Sequence, residues 1–422
     1  MTLSEKDQTY IWHPFTPLKN AKQNIVIVAG KQALLWDDTG KEYIDAVSSW
    51  WTNIFGHTQP QIVKAVKNQL SKLEHVIFAG FTHVPAINTA ERLLSILPKH
   101  QTKVFFSDNG STSVEVALKM AIQYWHNKGM QKNNIVAFKN AYHGDTFGAM
   151  SVGARGCFNQ PFEHLLFNTT FIDLPTKENF ETLKVEFQQL LQKNDVAAFI
   201  FEPLVQGSAG MLMYDACFLD TLIEMAQKHN VLCIADEVMT GFGRTGKLFA
   251  TDYIQHKPDI YCLSKGITGG FLPLGITTCT QQIVNGFISD DKFKTFYHGH
   301  SYTANPLACA AAAASLQLLI QKQQYIFRLT ELQKTFANQL KSNKKIENLR
   351  QQGTIVAFDV KTNSKSGYFN DKRDFLYDNF IKRGVILRPL GNTIYIMPPY
   401  VITKKQLQKV YTVINEVLEM VE

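Results

Sequence analysis

The sequence has few cysteines and no long apolar run, and both absences narrow what the protein can be. Its six cysteines form no C-x-x-C pair, and four of them lie in apolar runs. Buried thiols behave as small hydrophobic groups, so we expect a reducing compartment, the cytoplasm, and no metal-binding framework. The longest apolar stretch, residues 307–320, is rich in alanine and is too short to span a membrane. The first ten residues are polar and show no signal peptide.

The excess of positive charge is small and scattered. The 422 residues include 43 Lys and Arg against 36 Asp and Glu, a net charge of +7, and 45% of them are hydrophobic. A scattered excess favours a solvated surface over a nucleic-acid interface. The length allows a large core, and we expect one large and one small domain. The sequence shows no internal repeat and no low-complexity segment.

Two short apolar runs end in residues that carry chemistry. Residues 231–235 lead into Asp236, and residues 260–263 lead into Ser264 and Lys265. Such runs are typical of buried strands in a parallel sheet, where ligands bind beyond the carboxyl ends. A carboxylate that keeps a heterocyclic nitrogen protonated, beside a desolvated lysine that forms a Schiff base, suits pyridoxal phosphate. The alternative is that both residues are polar simply because strand ends meet water.

Three glycines follow Asp236. Gly241, Gly243 and Gly246 match G-x-G-x-x-G, which is typical of dinucleotide-binding sites. The match does not begin directly at a strand end, and the residues after it do not open a strong helix. We therefore reject the dinucleotide interpretation and favour a glycine turn.

A strand, a glycine and a helix follow one another around Gly110. Apolar residues at helical spacing over 114–125 indicate the helix, and Thr112 with Glu115 matches a capping box. Gly110 and Ser111 would then lie at the helix N-terminus, where free N–H groups attract an anion. The alternatives are a phosphate-binding site or an ordinary capped helix.

Two further strands end near polar side chains. Residues 134–138 form a strand-like run before Tyr142, whose ring can cover a flat cofactor. Residues 196–201 form another such run, which ends at Glu202. Glu202 either contributes to the ligand site or is a structural partner for an arginine or a backbone amide.

Two tryptophans and one arginine leave alternatives open. Trp50 and Trp51 are adjacent, so they cannot both face the core of one regular element. They form either one core ring with a half-exposed neighbour or an aromatic wall for a ligand. Arg388 lies among apolar residues, where an unpaired charge is costly. It either pairs with a protein carboxylate or binds a ligand carboxylate through two hydrogen bonds.

The segment 296–306 is rich in His, Ser, Tyr and Thr and precedes an alanine-rich helix. Asn305 suits the N-cap of that helix and Pro306 its first turn. The sequence has neither metal-ligand spacing here nor the G-x-S-x-G motif of a serine hydrolase. A second phosphate contact is the better interpretation.

The periodicity changes at about residue 321, where helical segments begin to alternate with strand-like runs. We expect an α+β small domain over 321–422 and a large ligand-binding domain over 56–320. The N-terminal segment, 1–55, is expected to contribute to the small domain and the active site. Residues 34–44 favour a hairpin, and residues 274–279 favour an antiparallel or edge strand.

Together these motifs resemble the class III (ω-type) aminotransferases over nearly the whole chain. The signature is Asp236-Glu-Val-Met-Thr-Gly-Phe-Gly-Arg-Thr-Gly, followed by Ser264-Lys-Gly. The resemblance implies an α/β protein with the type I pyridoxal-phosphate-dependent transferase fold. That fold has a mostly parallel seven-stranded sheet in the large domain, a small α+β domain, and an active site at a homodimer interface.

The resemblance also implies roles for individual residues. Lys265, Asp236 and Tyr142 would be catalytic, with Lys265 binding the cofactor and moving the proton, and Asp236 holding the pyridine nitrogen. The cofactor site would comprise Gly110, Ser111, Tyr142, Glu202, Asp236, Val238, Lys265, His300 and Ser301, with Ser301 coming from the other subunit. The substrate site would comprise Phe15, Trp50, Tyr142, Lys265, Gly299 and Arg388, and no metal is expected. Phe15 departs from the pattern, since many members have a tyrosine there and this chain lacks its hydroxyl.

Further motifs narrow the resemblance to the branch of the class that serves biotin synthesis. Among them are Trp12-His-Pro-Phe, Ser48-Ser-Trp-Trp and Arg388-Pro-Leu-Gly. This branch implies ping-pong transfer of an amino group from S-adenosylmethionine to 8-amino-7-oxononanoate, with no nucleic acid or membrane partner. The alternatives are lysine as donor, or another class III substrate such as ornithine, 4-aminobutyrate or a β-amino acid. A non-catalytic pyridoxal-binding regulator fits less well, because the chain keeps both Lys265 and Asp236.

Overall fold

The N-terminal segment forms a helix, three strands and a tight turn. The structure, a computed structural model, describes residues 1–19, 21–156, 158–362 and 370–421. The elements are α1 (Leu3–Tyr10), β1 (Ile27–Lys31), β2 (Leu34–Asp37), β3 (Glu42–Asp45) and the four-residue turn α2 (Ser48–Trp51). β2 is antiparallel to both β1 and β3. β2 and β3 form the predicted hairpin, with Leu34 opposite Ile44.

A seven-stranded sheet forms the middle of the chain. The strands in this region are β4 (Gln101–Ser107), β5 (Asn134–Phe138), β6 (Thr169–Ile172), β7 (Val196–Phe201), β8 (Val205–Gln206), β9 (Leu212–Met213), β10 (Leu232–Asp236), β11 (Ile260–Leu263) and β12 (Gly275–Thr280). The order across the sheet is β4-β12-β11-β10-β7-β5-β6, and β8 pairs with β9 separately. Neighbours from β11 to β6 are parallel, whereas β12 is antiparallel to both β11 and β4. The mostly parallel sheet is confirmed. The strand predicted over 274–279 is antiparallel, but it lies inside the sheet rather than at an edge.

Helices cover both faces of this sheet. They are α3 (Pro60–Leu70), α4 (Val84–Ile96), α5 (Gly110–Asn127), α6 (Phe147–Ser151), α7 (Phe180–Gln192), α8 (Ala216–Lys228), α9 (Gln281–Asn285) and α10 (Pro306–Gln321). Side chains of β10 alternate between two buried clusters: Ile234 packs on the α5 side, whereas Cys233 and Ala235 pack with α7, α8 and α10. Burial on both faces explains why these strands are continuous apolar runs in the sequence.

Helix α10 begins as the sequence predicts. Asn305 Oδ1 accepts hydrogen bonds from the N–H groups of Leu307 (3.1 Å) and Ala308 (3.0 Å), and Pro306 is the first helical residue. Within the described residues, no helix combines the length and the apolar character needed to cross a bilayer.

Helix α5 begins earlier than the sequence predicts. Thr112 N donates to Asn109 Oδ1 (3.0 Å) and Asn109 N donates to Thr112 Oγ1 (3.1 Å), so these two residues form the capping box. The predicted box between Thr112 and Glu115 is wrong, because asparagine is the stronger N-cap and precedes it. Glu115 instead accepts from the N–H groups of Gly148 (2.7 Å) and Ala149 (3.2 Å), which ties α5 to α6.

The described residues of the C-terminal part form a smaller sheet and three helices. The elements are α11 (Gln324–Leu340), β13 (Ile346–Gln352), β14 (Ile355–Val360), α12 (Lys372–Lys382), β15 (Val385–Ile386), β16 (Thr393–Ile396) and α13 (Lys404–Glu419). β13, β14 and β16 form an antiparallel sheet in that order. β15 pairs in parallel with β3, with Ile386 opposite Asp45. A sheet therefore joins the N-terminal segment to the C-terminal part, and the domain limits 1–55, 56–320 and 321–422 stay a prediction.

Candidate active site

Asp236 and Lys265 follow neighbouring parallel strands. Asp236 ends β10, where it lies opposite Cys262 of β11, and Lys265 opens a 3₁₀ turn just after β11. Lys265 has a φ of 45°, which is uncommon for a residue other than glycine. Burial lowers the pKa of Lys265 to about 8, although the Asp236 charge opposes this effect. A fraction of the amine is therefore unprotonated near neutral pH, as a nucleophile or a proton carrier requires.

The Asp236 carboxylate is fixed by two hydrogen bonds. His143 Nδ1 donates to Asp236 Oδ2 (2.7 Å), and Val238 N donates to Asp236 Oδ1 (3.1 Å). The His143 side chain is fully buried, and its Nε2 has no partner among the described residues. Because the imidazole donates through Nδ1, it fixes the direction of the carboxylate in the crevice.

The first turn of α5 lies against the residues that follow β10. A Cβ added to Gly110 would lie 2.8 Å from Val238 Cγ1, so only glycine allows this approach. In the described part of the chain, the N–H groups of Gly110 and Ser111 have no acceptor. Ser111 Oγ accepts from Asp145 N (3.2 Å), which holds its hydroxyl at the same place. Free N–H groups at the start of an 18-residue helix favour an anion.

Glu202 holds the backbone beside Tyr142. Tyr142 N donates to one Glu202 oxygen (3.0 Å) and Gly207 N donates to the other (3.0 Å). Burial raises the pKa of Glu202 to about 7. The contacts of Glu202 are therefore those of a structural partner for backbone amides, one of the alternatives that the sequence left open. The Tyr142 hydroxyl donates to Asp145 (2.9 Å), and its ring stays partly exposed.

The two tryptophans have different surroundings. Trp51 is 5% exposed, and Lys265 Nζ lies 4.4 Å from the centre of its ring. Trp50 is 39% exposed, and the Arg388 guanidinium carbon lies 4.6 Å from its ring centre. Phe15 packs edge-on against Trp50, with centroids 5.7 Å apart. The alternative of one core ring and one half-exposed ring is correct for burial, yet both rings also touch residues predicted to bind cofactor or substrate.

Among the described residues, no carboxylate pairs with Arg388. Across residues 1–19, 21–156, 158–362 and 370–421, no Asp or Glu oxygen lies within ion-pair distance of its guanidinium. The side chain is half-buried and its guanidinium lies over the Trp50 ring. Its hydrogen-bond donors thus remain available for a ligand carboxylate, the second of the two alternatives.

In the described part of the chain, the loop before α10 makes no hydrogen bond to Asp236 or Lys265. Lys119 of α5 donates to His298 Nδ1 (3.0 Å), and Tyr302 N donates to His300 Nδ1 (3.2 Å). Ser301 is exposed, and no described hydrogen bond links it, Gly299 or His300 to Asp236 or Lys265. Cofactor and substrate roles for this loop stay predictions that require a second subunit.

Two residues of the site escaped the sequence interpretation. His143 stands in the Tyr-His-Gly-Asp motif, but only the structure shows that it faces Asp236. Arg244 is fully buried and donates to the carbonyl oxygens of Trp51 (3.1 Å) and Pro398 (3.1 Å). It lies inside the rejected G-x-G-x-x-G match, and that segment leads into a 3₁₀ turn rather than a helix. The sequence feature that points to Arg244 is its position, as a charged residue between the turn glycines Gly243 and Gly246.

Comparisons with known proteins agree with this arrangement. The family model described as Aminotransferase class-III matches residues 17–418. A curated adenosylmethionine-8-amino-7-oxononanoate aminotransferase from Synechococcus elongatus is 49% identical and covers 97% of this chain and 98% of its own length. A protein of the same name from Staphylococcus aureus is 36% identical and covers 96% of this chain and 95% of its own length.

Solved structures show the same fold. The adenosylmethionine-8-amino-7-oxononanoate aminotransferase of Methanocaldococcus jannaschii superposes with a TM-score of 0.94 at 36% identity, covering 100% of this chain and 99% of its own. An amine transaminase from an uncultivated Pseudomonas species, in a PLP-bound form, superposes with a TM-score of 0.90 at 29% identity. It covers 97% of this chain and 98% of its own. The fold is therefore the type I fold expected from the sequence, and the chain belongs to the class III aminotransferases.

Proposed function

We propose that this chain is a pyridoxal-phosphate-dependent aminotransferase that converts 8-amino-7-oxononanoate to 7,8-diaminononanoate in biotin synthesis, with S-adenosylmethionine as the amino donor. The observation that carries the proposal is the meeting of Lys265 and Asp236 at the ends of two parallel strands. The substrates are supported by the shared name of the relatives at 36–49% identity. The same acceptor with lysine as donor is the second candidate, followed by another class III substrate.

The residues of the site fit pyridoxal phosphate. The free N–H groups of Gly110 and Ser111 would hold the phosphate, and Asp236 would hold the ring nitrogen in its protonated form. Lys265, with a pKa of about 8, would hold the carbonyl carbon. Once bound, this cofactor supplies a ring that accepts the electron pair left when the C–H bond beside the amino nitrogen breaks. The partly exposed ring of Tyr142 would cover the cofactor.

The protein residues divide the remaining work between proton transfer and orientation. Lys265 Nζ would take the proton from the donor carbon in the first half-reaction and deliver a proton to the acceptor carbon in the second, with the hydrogen held on the bound cofactor between the two. His143 keeps the Asp236 carboxylate aimed through the 2.7 Å hydrogen bond. Arg388 binds the acceptor's terminal carboxylate, with Trp50 and Phe15 beside the aliphatic chain.

We further propose a cytoplasmic homodimer in which the loop at Gly299, His300 and Ser301 completes the site of the neighbouring subunit. The exposure of Ser301, and the lack of any described hydrogen bond from it to Asp236 or Lys265, support this assignment. The described cysteines are free, as in a reducing compartment, whereas Cys157 lies outside the described residues.

Product formation with separate donors tests the proposal. Purified protein with added pyridoxal phosphate and 8-amino-7-oxononanoate is incubated with S-adenosylmethionine, lysine or 4-aminobutyrate, and 7,8-diaminononanoate is measured by mass spectrometry. Diamine from S-adenosylmethionine alone is expected, and the Lys265→Ala protein serves as the inactive control. If only lysine yields diamine, the amino donor is lysine rather than S-adenosylmethionine. If no donor yields diamine, 8-amino-7-oxononanoate is not the acceptor.

A further inference from the structure

The turn α2 has a backbone that ordinary residues rarely adopt. Ser48, Ser49 and Trp51 have φ values of 52°, 62° and 68°. Ser49 combines its φ with a ψ of −63°, dihedral angles close to those of the rare and strained form of the γ-turn. Such conformations persist only where neighbouring groups hold them, and they concentrate at functional sites. Contacts from neighbouring residues must therefore stabilise the conformation of this turn.

The buried carboxylate of Asp45 holds the turn from the end of β3. Its Oδ1 accepts from Val47 N (3.2 Å), and its Oδ2 accepts from Ser49 N (2.7 Å) and Ser49 Oγ (3.2 Å). His57 Nε2 donates to the same Oδ2 (2.9 Å). Asp45 is fully buried, so each of these donors offsets the cost of removing its charge from water.

His57 is itself fixed by contacts on a different part of the chain. Its backbone exchanges two hydrogen bonds with Gln32, at 2.7 Å and 3.0 Å. Asn53 Nδ2 donates to His57 Nδ1 (2.9 Å), which leaves the proton on Nε2 facing Asp45. The imidazole is thus a rigid link between the end of β1 and the Asp45 carboxylate.

We propose that Asp45 and His57 are positioning residues for amino-group transfer, because their hydrogen-bonded pair holds the N–H of Ser49 and so directs both Trp50 and Trp51 into the active site. The inference rests on the proposed function. Trp51 lies over Lys265 and Trp50 lies over Arg388, whereas none of the described contacts of Asp45 or His57 involves Lys265 or Arg388. Their influence on the reaction passes through the turn.

The first test is ¹⁹F NMR, which reports the surroundings of each tryptophan and does not depend on enzyme turnover. The chain has five tryptophans, so the full-length protein with pyridoxal phosphate, labelled with 5-fluorotryptophan, gives five ¹⁹F signals that Trp→Phe substitutions assign. His57→Leu removes the donor to Asp45, and His57→Gln keeps one at a similar position. We expect His57→Leu to shift or broaden the signals of Trp50 and Trp51 and to leave Trp125 unchanged, while His57→Gln resembles the wild type.

Steady-state kinetics provide the second test. For 8-amino-7-oxononanoate we expect kcat/KM to fall on the order of 10- to 100-fold in His57→Leu, as displaced positioning groups typically cause, and to recover in His57→Gln. Asp45→Asn, which is nearly isosteric, should reproduce the loss and replaces His57→Leu if that protein does not fold. His126→Leu, an exposed histidine on α5, is the matched control.

Three results would overturn the assignment: unchanged Trp50 and Trp51 signals in both His57→Leu and Asp45→Asn, an equal loss in His57→Leu and His57→Gln, or a lower melting temperature with kcat/KM intact. A wild-type chain that forms no diamine with any donor would overturn the proposed function alone. The ¹⁹F signals would still show whether Asp45 and His57 set the tryptophan positions.

Discussion

The buried amine of Lys265 makes a quantitative prediction for the stability of the cofactor-free protein. Burial lowers its pKa from the ordinary 10.5 to about 8. Well below pH 8 the amine is almost entirely protonated in both the folded and unfolded states, so the folded state bears nearly the full cost of burying the charge. That cost falls as the pH rises from 8 towards 10.5 and is absent above it. The pKa difference corresponds to about 3 kcal/mol.

Replacing Lys265 with methionine should therefore stabilise the cofactor-free protein. Methionine keeps the length of the side chain and makes favourable contacts with an aromatic ring such as Trp51. For a chain of this size, about 3 kcal/mol corresponds to a rise of roughly 3 °C in melting temperature at pH 7. At pH 9.5 the gain should fall to about half, because the wild-type amine is then neutral in the folded state.

Calorimetry of the two cofactor-free proteins between pH 7 and pH 9.5, at one protein concentration, measures this gain. Lys404→Met provides the control, since Lys404 is exposed and its replacement should leave the melting temperature nearly unchanged. A gain that does not vary with pH would show that packing, not charge, is responsible. A lower melting temperature for Lys265→Met at pH 7 would refute the electrostatic reasoning.

Three further predictions concern ligand binding and assembly. Asp236→Asn should weaken pyridoxal phosphate binding by about 10- to 100-fold, the value of a charge-assisted hydrogen bond, in equilibrium dialysis; unchanged affinity would remove Asp236 from the ring nitrogen. Arg388→Met should raise the KM for 8-amino-7-oxononanoate by a similar factor and leave the donor half-reaction nearly intact, whereas equal losses would argue against carboxylate binding. Co-expressed Lys265→Ala and Ser301→Glu chains should regain about a quarter of wild-type activity, because random pairing gives mixed dimers with one intact site each; no recovery would place Ser301 outside the partner's site.

The cofactor half of the site was predictable from the sequence because its residues follow strands that are visible as local apolar runs. Asp236 and Lys265 each come directly after such a run, so their meeting needed only the parallel pairing of β10 and β11. The start of α5 was less predictable, because both Asn109 and Thr112 are residue types that can form the N-cap of a helix. His143 was missed because nothing local indicates that its ring turns towards Asp236 rather than solvent.

The substrate half of the site was expected only from the family resemblance and could not be assembled from local sequence patterns, although it obeys the same rule. Trp50 follows the carboxyl end of β3 and Arg388 follows the carboxyl end of β15, and these two strands pair in parallel. Side chains beyond the ends of parallel strands meet at one edge, as they do for Asp236 and Lys265. β15 is only two residues long, and its partner lies near the other end of the chain, so no local pattern shows the pairing. The strand pair β10–β11 thus brings Asp236 and Lys265 together, and the strand pair β3–β15 brings Trp50 and Arg388 together. The adjacent tryptophans of α2 connect the two halves of the site, because Trp51 contacts Lys265 and Trp50 contacts Arg388.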